Sequence, residues 1–418
     1  MVRTSMLVAL LLAGCRFNPS GLPASSHSDG PVDLSIAQEL STDLSRWHDQ
    51  PLPDWPPDGP RPDAWDSWSP DMPVVCNPPC SGTSPICVSG TCQPCKNHKQ
   101  CPGGLCALDG SCPASGDVAH VTKSGQCPGS GTKASPFCSL TKAVASGRPY
   151  VLLTAGTYDE NVTLNKPQEI HGKPGAILKP SACDKLLIDN AKVTLVGFTI
   201  QGNIKVNGAS AEGGLFDNTI GGSSCTGVLG AGGATVTMER NLVVSNTGGG
   251  VFVAGDYFIR NNIIVKNGNS GLNWGGVKLE PSIIANCRFV NNTVANNETR
   301  ANNDKEAGGV RCEVANTPLM NSILWGNTPS DTDQQYSPNC VPSHCDFELQ
   351  SGSAVAPNLS VNPMFIGGSD DTKDSYYHLQ NASPVKNKGN PNATSLPLDD
   401  YDGDPRSDGL PDIGADEI

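Results

Sequence analysis

Asp217, Glu239, Arg260 and Arg288 fall beside short apolar runs and would share one outer face if those runs stacked; Lys278 and Glu280 add another base and carboxylate nearby. Carboxylates holding calcium next to an Arg or Lys that can take a proton beside a uronic acid carboxylate are the parts of a polysaccharide lyase site. The same side chains also read as a solvated face of mutually compensating charges. Trp274 and Trp325 are the aromatic platforms on which a sugar ring would stack, or else loop and core packing. Asp399, Asp400, Asp402 and Asp404 crowd one turn around Tyr401 and Gly403, an oxygen-rich set of the kind calcium takes. The glycine comes too early for an EF-hand loop and no Glu stands at its twelfth position, so a polar turn is the alternative.

Sulfur supplies the next set of reactive groups. The chain has 17 cysteines, a number suited to an oxidising compartment. Eight of them, Cys76, Cys80, Cys87, Cys92, Cys95, Cys101, Cys106 and Cys112, lie in one short stretch almost without apolar residues, which must be stapled. Four disulfides are expected there; zinc is the rival, through Cys92 and Cys95, but a second matching pair is lacking. Cys127 and Cys138 are expected to pair. So are Cys183 with Cys225, Cys287 with Cys312, and Cys340 with Cys345 in a loop around His344, which leaves every cysteine but Cys15 bonded.

Cys15 has a different chemistry. After Arg3, an apolar run from Met6 to Leu12 is too short for a membrane span and leads into Leu12-Ala13-Gly14-Cys15, which resembles the bacterial lipobox. Residues 1–15 then form a lipoprotein signal peptide, and Cys15 becomes the lipid-bearing first mature residue that ties the chain to a membrane. Arg16 follows where an inner-membrane retention signal would have Asp, so the expected location is the bacterial cell envelope, at the outer membrane or cell surface. Residues 16–75 hold 11 Pro, nine Asp and one Glu against three Arg and no Lys. They read as a self-repelling, disordered tether in which Trp47, Trp55, Trp65 and Trp68 are either a sugar-stacking stripe or spacer residues. The whole chain of 418 residues carries a net charge of −13, which argues against nucleic acid as a partner.

The elements that must position these groups are short. Gly 46 and Pro 35 favour turns over long helices. From residue 118 onward, a Gly or Asn followed by apolar residues recurs at Gly197, Asn218, Asn241, Asn262, Asn292 and Asn321, with spacings of 21, 23, 21, 30 and 29 residues. A second asparagine follows at Asn246, Asn267, Asn297 and Asn327. Two or three short strands and tight turns need this length per coil, with the extra residues bulging as loops. Repetition of Asn at one turn predicts a ladder of stacked amides, and the Val- and Ile-rich strands between them predict the inside of a parallel coil. Near the entry, Ser135 as N-cap, Pro136, an apolar face of Phe137, Leu140 and Val144, and Gly147 as stop predict a short helix over the open end.

Phe258-Ile259-Arg260-Asn261-Asn262-Ile263-Ile264 and Asn321-Ser322-Ile323-Leu324-Trp325-Gly326-Asn327 resemble the right-handed parallel β-helix, pectin-lyase-like superfamily. Gly131-Thr132-Lys133-Ala134-Ser135-Pro136-Phe137 and Ala155-Gly156-Thr157-Tyr158 resemble its entry pattern. Tyr377-His378-Leu379-Gln380 and Asp412-Ile413-Gly414-Ala415-Asp416-Glu417 resemble the C-terminal part of choice-of-anchor Q proteins, with Asp416 where an aromatic residue is expected and His378 in a structural role. The resemblance implies an all-β right-handed solenoid over 118–418, with a closing segment from about 360, preceded by the disulfide-rich module at 76–112. The superfamily holds lyases, hydrolases, esterases and noncatalytic surface proteins, and no paired-Asp with Gly-His-Gly arrangement of the polygalacturonase kind is present. The expected function is a surface lipoprotein binding carbohydrate or envelope polymer without turnover and without a cofactor other than calcium. The alternatives are a polysaccharide lyase or hydrolase and a structural or adhesive protein.

Overall fold

The computed structural model describes residue 76 and residues 79–418, apart from 124–128, 300–306, 329–334, 350–351 and 408. Signal peptide, Cys15, tether and its tryptophans lie outside the described residues. Three parallel sheets of ten, nine and seven strands run along the domain; each complete coil contributes one strand to each sheet, and the end coils contribute fewer. One coil runs Thr235–Glu239, Leu242–Val244, Val251–Ala254. Its strands pair in parallel with Tyr257–Arg260, Ile263–Val265 and Val277–Glu280 of the next. The chain is thus an all-β parallel solenoid, as the repeat predicts.

Alternation fills the inside. Val236, Met238, Ile259, Val243, Ile264, Val253 and Leu279 point inward and are fully buried, so each coil shields its neighbour's apolar side chains. Two columns of polar side chains are buried as well. Asn218, Asn241, Asn262 and Asn292 stack ahead of the nine-stranded sheet, each amide donating to the next side-chain oxygen at 3.0, 2.9 and 3.1 Å. Asn246, Asn267, Asn297 and Asn327 do the same just beyond it, at 3.0, 3.0 and 2.9 Å. Their second donors and main-chain neighbours are satisfied too, for instance Asn267 Nδ2 to Val243 O at 2.9 Å, so the amides close the sharp turns without leaving orphaned groups.

The residue before each rung of the first ladder takes the left-handed backbone: Asp217 (φ 56°), Arg240 (53°), Asn261 (51°), Asn291 (52°), Asn321 (47°) and His344 (51°). This explains the doubled asparagines at 261–262 and 291–292, since Asn tolerates that conformation better than most side chains.

The helix at the entry spans Leu140–Ala145, not the longer stretch expected from Ser135. Phe137 pairs instead with the strand Val118–Val121, its N–H donating to His120 O and its carbonyl accepting from Thr122 N, both at 2.8 Å, while Ser135 closes a turn with Thr132, so no helix starts there. Ser139 is the N-cap, and Glu160 from the following coil accepts from the N–H groups of Leu140 (3.0 Å) and Thr141 (2.9 Å). Leu140, Ala143 and Val144 are buried over the open end.

The module at 76–112 carries four disulfides, Cys76–Cys87, Cys80–Cys92, Cys95–Cys106 and Cys101–Cys112, which removes the zinc reading. Cys183–Cys225 forms as expected, and Cys138 is disulfide-bonded while Cys127 lies outside the described residues. The other expected pairs are corrected. Cys312 bonds Cys340, and Cys287 and Cys345 are buried thiols, so neither the Cys287–Cys312 pair nor the Cys340–Cys345 loop forms. The reason is the path of the coil: the strand Val310–Cys312 ends the seven-stranded sheet, Cys340–Ser343 ends the ten-stranded sheet, and the two bring Cys312 and Cys340 to a Cα separation of 5.3 Å, whereas Cys345 takes the position of the next ladder rung after Ser322.

Candidate functional site

Two appendages decide which outer faces are open. The closing segment lies over the nine-stranded sheet. Tyr377, Ala415, Phe365, Tyr376 and Tyr401 pack on Leu242, Val244, Ile263, Val265 and Ala295, and Leu379, Val385 and Ile413 pack on Ile323. That sheet reads apolar on both sides of its strands for this reason. Left-handed asparagines anchor the segment: Asn291 Nδ2 donates to Asp412 O (3.0 Å), Asn321 Nδ2 to Asn390 O (3.1 Å) and Asn296 Nδ2 to the Tyr377 hydroxyl (2.9 Å). The cysteine-rich module covers the start of the ten-stranded sheet, where Leu105 and Ala107 pack on Val118 and Leu152, and Leu108 N donates to Glu169 at 2.9 Å.

Beyond the module, the outer face of the ten-stranded sheet carries Phe216, Glu239, Arg260 and Val290 in one row, set by the register of adjacent strands. Asp217, Glu239 and Arg260 do come together, through a residue that sequence reasoning missed. Arg240 holds both oxygens of Asp217 at 2.7 and 3.2 Å and reaches Glu239 at 3.1 Å, and Arg260 takes the other Glu239 oxygen at 2.8 Å. Asp399 of the closing segment stands 3.8 Å from the same guanidinium. Burial opposes the charge on Arg240, but Asp217, Glu239 and Asp399 outweigh it and raise its pKa further. Every oxygen of the two carboxylates is thereby engaged by a guanidinium. The signal for Arg240 was available: it precedes a ladder asparagine as Asp217 does, one coil on. Arg288 shares the face but turns to the carbonyls of Ala285 and Cys287, both at 2.8 Å.

Lys278 and Glu280 belong to the seven-stranded sheet and so face another side of the solenoid. The register there places Leu187, Lys205, Leu229, Phe252, Lys278 and Arg311 in one outward row along the axis. The Lys278 ammonium lies 4.5 Å from the Phe252 ring centre and 3.2 Å from Glu313, which Arg311 also contacts at 2.9 Å. Burial alone would raise the Glu313 carboxyl, but the hydrogen bond from Lys278 and the charges of Arg311 and Lys278 hold it below its ordinary value. Glu280 is only a distant partner of Lys278, at 4.0 Å. Phe252, Arg311 and Glu313 were not expected from the sequence, because only the register shows that they neighbour Lys278.

The two tryptophans are not open platforms. Trp274 is 8% exposed, its ring over Gly249 and tilted against Phe252 at 6.2 Å, so it backs the phenylalanine that is part-exposed. Trp325 packs with Ile323 beneath the closing segment. The acidic turn does not gather its four carboxylates around one point. Asp400 is fully buried and spends its oxygens on the N–H groups of Asp402, Asp404 and Glu417 at 2.9, 2.8 and 3.0 Å, while Asp399 faces Arg240 and Asp402 faces His378 at 3.3 Å. One surface depression lies in the module at Cys80, Ser81, Ser84 and Cys92 and another by the helix at Thr141, Val162 and Lys166; neither borders the charges described above.

Fold and site together define a parallel β-solenoid with charge-paired outer rows. Among solved structures the chain is similar in path to pectate lyase Pel9A, with a TM-score of 0.36 and 16% identity over 72% of this chain and 96% of that one. It is similar also to the deglycosylated pectin methylesterase from Aspergillus niger, at 0.32 and 14% over 63% and 95%. Nothing about this chain's chemistry follows from likenesses at that level. No protein-family model and no curated protein matches the sequence.

Proposed function

We propose that this chain is a lipoprotein of a bacterial cell envelope, anchored through Cys15 at the outer membrane or cell surface, whose solenoid binds carbohydrate or envelope polymer without turning it over. The observation that carries the reading is the axial row Lys205, Leu229, Phe252, Lys278 and Arg311, one side chain per coil. Strands in a sheet stand about 4.8 Å apart, so an extended chain laid along the axis would meet a repeating series of apolar, aromatic and cationic contacts. Phe252, stiffened from behind by Trp274, is its stacking surface. Glu313, the carboxylate that touches two cations of the row, is held below its ordinary value by Lys278 and Arg311, which makes it a poor base.

A panel of acidic and neutral polysaccharides tests the proposal, using the full chain purified under oxidising conditions. Binding without release of sugar ends is the expected result, with about tenfold weaker binding by Phe252→Ala at an unchanged melting temperature. The convergence of Asp217 and Glu239 with two arginines favours one other reading, a polysaccharide lyase or hydrolase. Release of unsaturated ends, for a lyase, or of new reducing ends without unsaturation, for a hydrolase, that Glu239→Gln abolishes would establish it in place of the first. Neither binding nor turnover would leave a structural or adhesive role.

A further inference from the structure

The closing segment brings together three metal-ligand atoms from three separate stretches of chain. His378 Nδ1 lies 3.3 Å from Asp402 Oδ2 and 3.6 Å from Asp416 Oδ1, and the three atoms all fall within 4.8 Å of one another. Among the described residues none of these three atoms hydrogen-bonds to another. Asp416 is the telling member. Its side chain is 7% exposed; Oδ2 accepts from Leu379 N at 2.7 Å, and Oδ1 is aimed at the imidazole beyond hydrogen-bonding distance.

We infer that His378, Asp402 and Asp416 form a binding site for a single divalent metal ion of the zinc class. Four donors placed tetrahedrally at about 2.0–2.1 Å from an ion stand roughly 3.3 Å apart, and the two nitrogen-to-oxygen separations bracket the space such an ion needs. One imidazole with two carboxylates suits zinc, manganese or cobalt better than calcium, which takes six to eight oxygens. Asp402 is 43% exposed at its side chain, which gives the ion a path in and leaves the fourth position to water.

The frame around the site is rigid. Buried Asp400 accepts from the N–H of Asp402 and from that of Glu417, so one carboxylate fixes the backbone beside two of the three ligands. The Leu379 N–H bound to Asp416 ties in the residue after His378, and the imidazole stands edge-on to Tyr401 with ring centres 6.3 Å apart. Outer partners of this kind orient ligands in metal sites. The site lies on the closing segment and does not depend on the polymer-binding row.

The test uses the full chain, made without a polyhistidine tag, freed of metal by a chelator under non-reducing conditions, and titrated with zinc and with cobalt. One ion per chain is expected, with a visible cobalt spectrum of a low-coordinate site. Asp402→Asn, at an exposed position, and His378→Gln should each weaken zinc binding at least tenfold. The Asp402 variant guards against misfolding, since its melting temperature without metal should match the parent's. Unchanged zinc affinity in both variants, absence of stoichiometric binding, or calcium bound equally well before and after His378→Gln would overturn the inference.

Discussion

Asn262 and Asn261 are adjacent and identical in type, yet the solenoid gives them different duties. Asn262 is buried; its oxygen accepts from Asn241 N (3.0 Å) and Nδ2 (2.9 Å), and its own amide donates to Met238 O, Arg260 O and Asn292. Asn262→Leu would strand several buried partners at once, and a loss of about 3 kcal/mol or more in urea unfolding is expected. Asn261→Gly keeps the left-handed turn and removes only the bonds to Asp399 O and Arg406, for about 1 kcal/mol. Equal losses would show that the ladder contributes nothing special. The two thiols are separable in the same way. Burial pushes Cys287 up to about 11 and Cys345 up to about 12, so neither carries thiolate near neutrality. Iodoacetamide at pH 8 should leave both unlabelled in the native chain and modify both in denaturant without reductant; native labelling of Cys345 would contradict its burial.

At the scale of the element, the coil was legible because its length and its asparagines repeat together. The spacing of Asn218, Asn241, Asn262 and Asn292 is the spacing of stacked strands, and Ile220, Val243, Ile264 and Val294 face inward as a period of two requires, while their apolar neighbours Val244, Ile263 and Val265 face the closing segment. The helix start was misplaced because Ser-Pro also reads as an extended or turn dipeptide, and only the pairing of Phe137 with the strand Val118–Val121 decides between the two. Arg240 and Phe252 escaped notice because an outward row is written across coils and not along the chain. A glycine column was overlooked for the same reason. Gly250, Gly276 and Gly309 each precede a Val and stack beside the second ladder, where a Cβ on Gly276 would meet Gly309 O at 2.7 Å and Asn297 Nδ2 at 2.8 Å. None of the three needs a left-handed backbone, so the constraint is space alone. Gly276→Ala should therefore destabilise by about 2 kcal/mol through overpacking and raise exchange of the Asn267 and Asn297 amides. A neutral Gly276→Ala would mean that neighbouring coils can slide apart without penalty.

For the molecule as a whole, the appendages cover one sheet and the start of a second and leave the third open, and the module is the more separable of the two because four disulfides hold it together by itself. Beside the packing of Leu105 and Ala107 on Val118 and Leu152, its junction with the solenoid centres on a histidine pair and the module bond that orients it. His98 Nδ1 accepts from Cys106 N at 3.1 Å and its ring meets His171 edge-on at 5.3 Å, while Glu169 binds His171 at 2.6 Å and Leu108 N at 2.9 Å. Burial first, then the charges of His171 and Lys173, lower His98 from 6.5 to about 4; burial also lowers His120, against a hydrogen bond with the Gly103 main chain, and Lys173, Lys133 and Arg148 add to the effect. A base with a depressed pKa favours the docked state while it is neutral. The undocked state binds more protons between about 6.5 and 4, so docking weakens as pH falls through that window and changes little below it. Protonation of Nδ1 would also remove the acceptor for Cys106 N. Hydrogen exchange at Cys106 and Leu108, corrected for intrinsic rates, should accelerate relative to the ladder amides as pH drops from 7 to 4. His98→Gln offers an acceptor that does not titrate and should flatten that dependence. If the variant retained the full pH response, the junction would owe its sensitivity to His120 and the charges facing it.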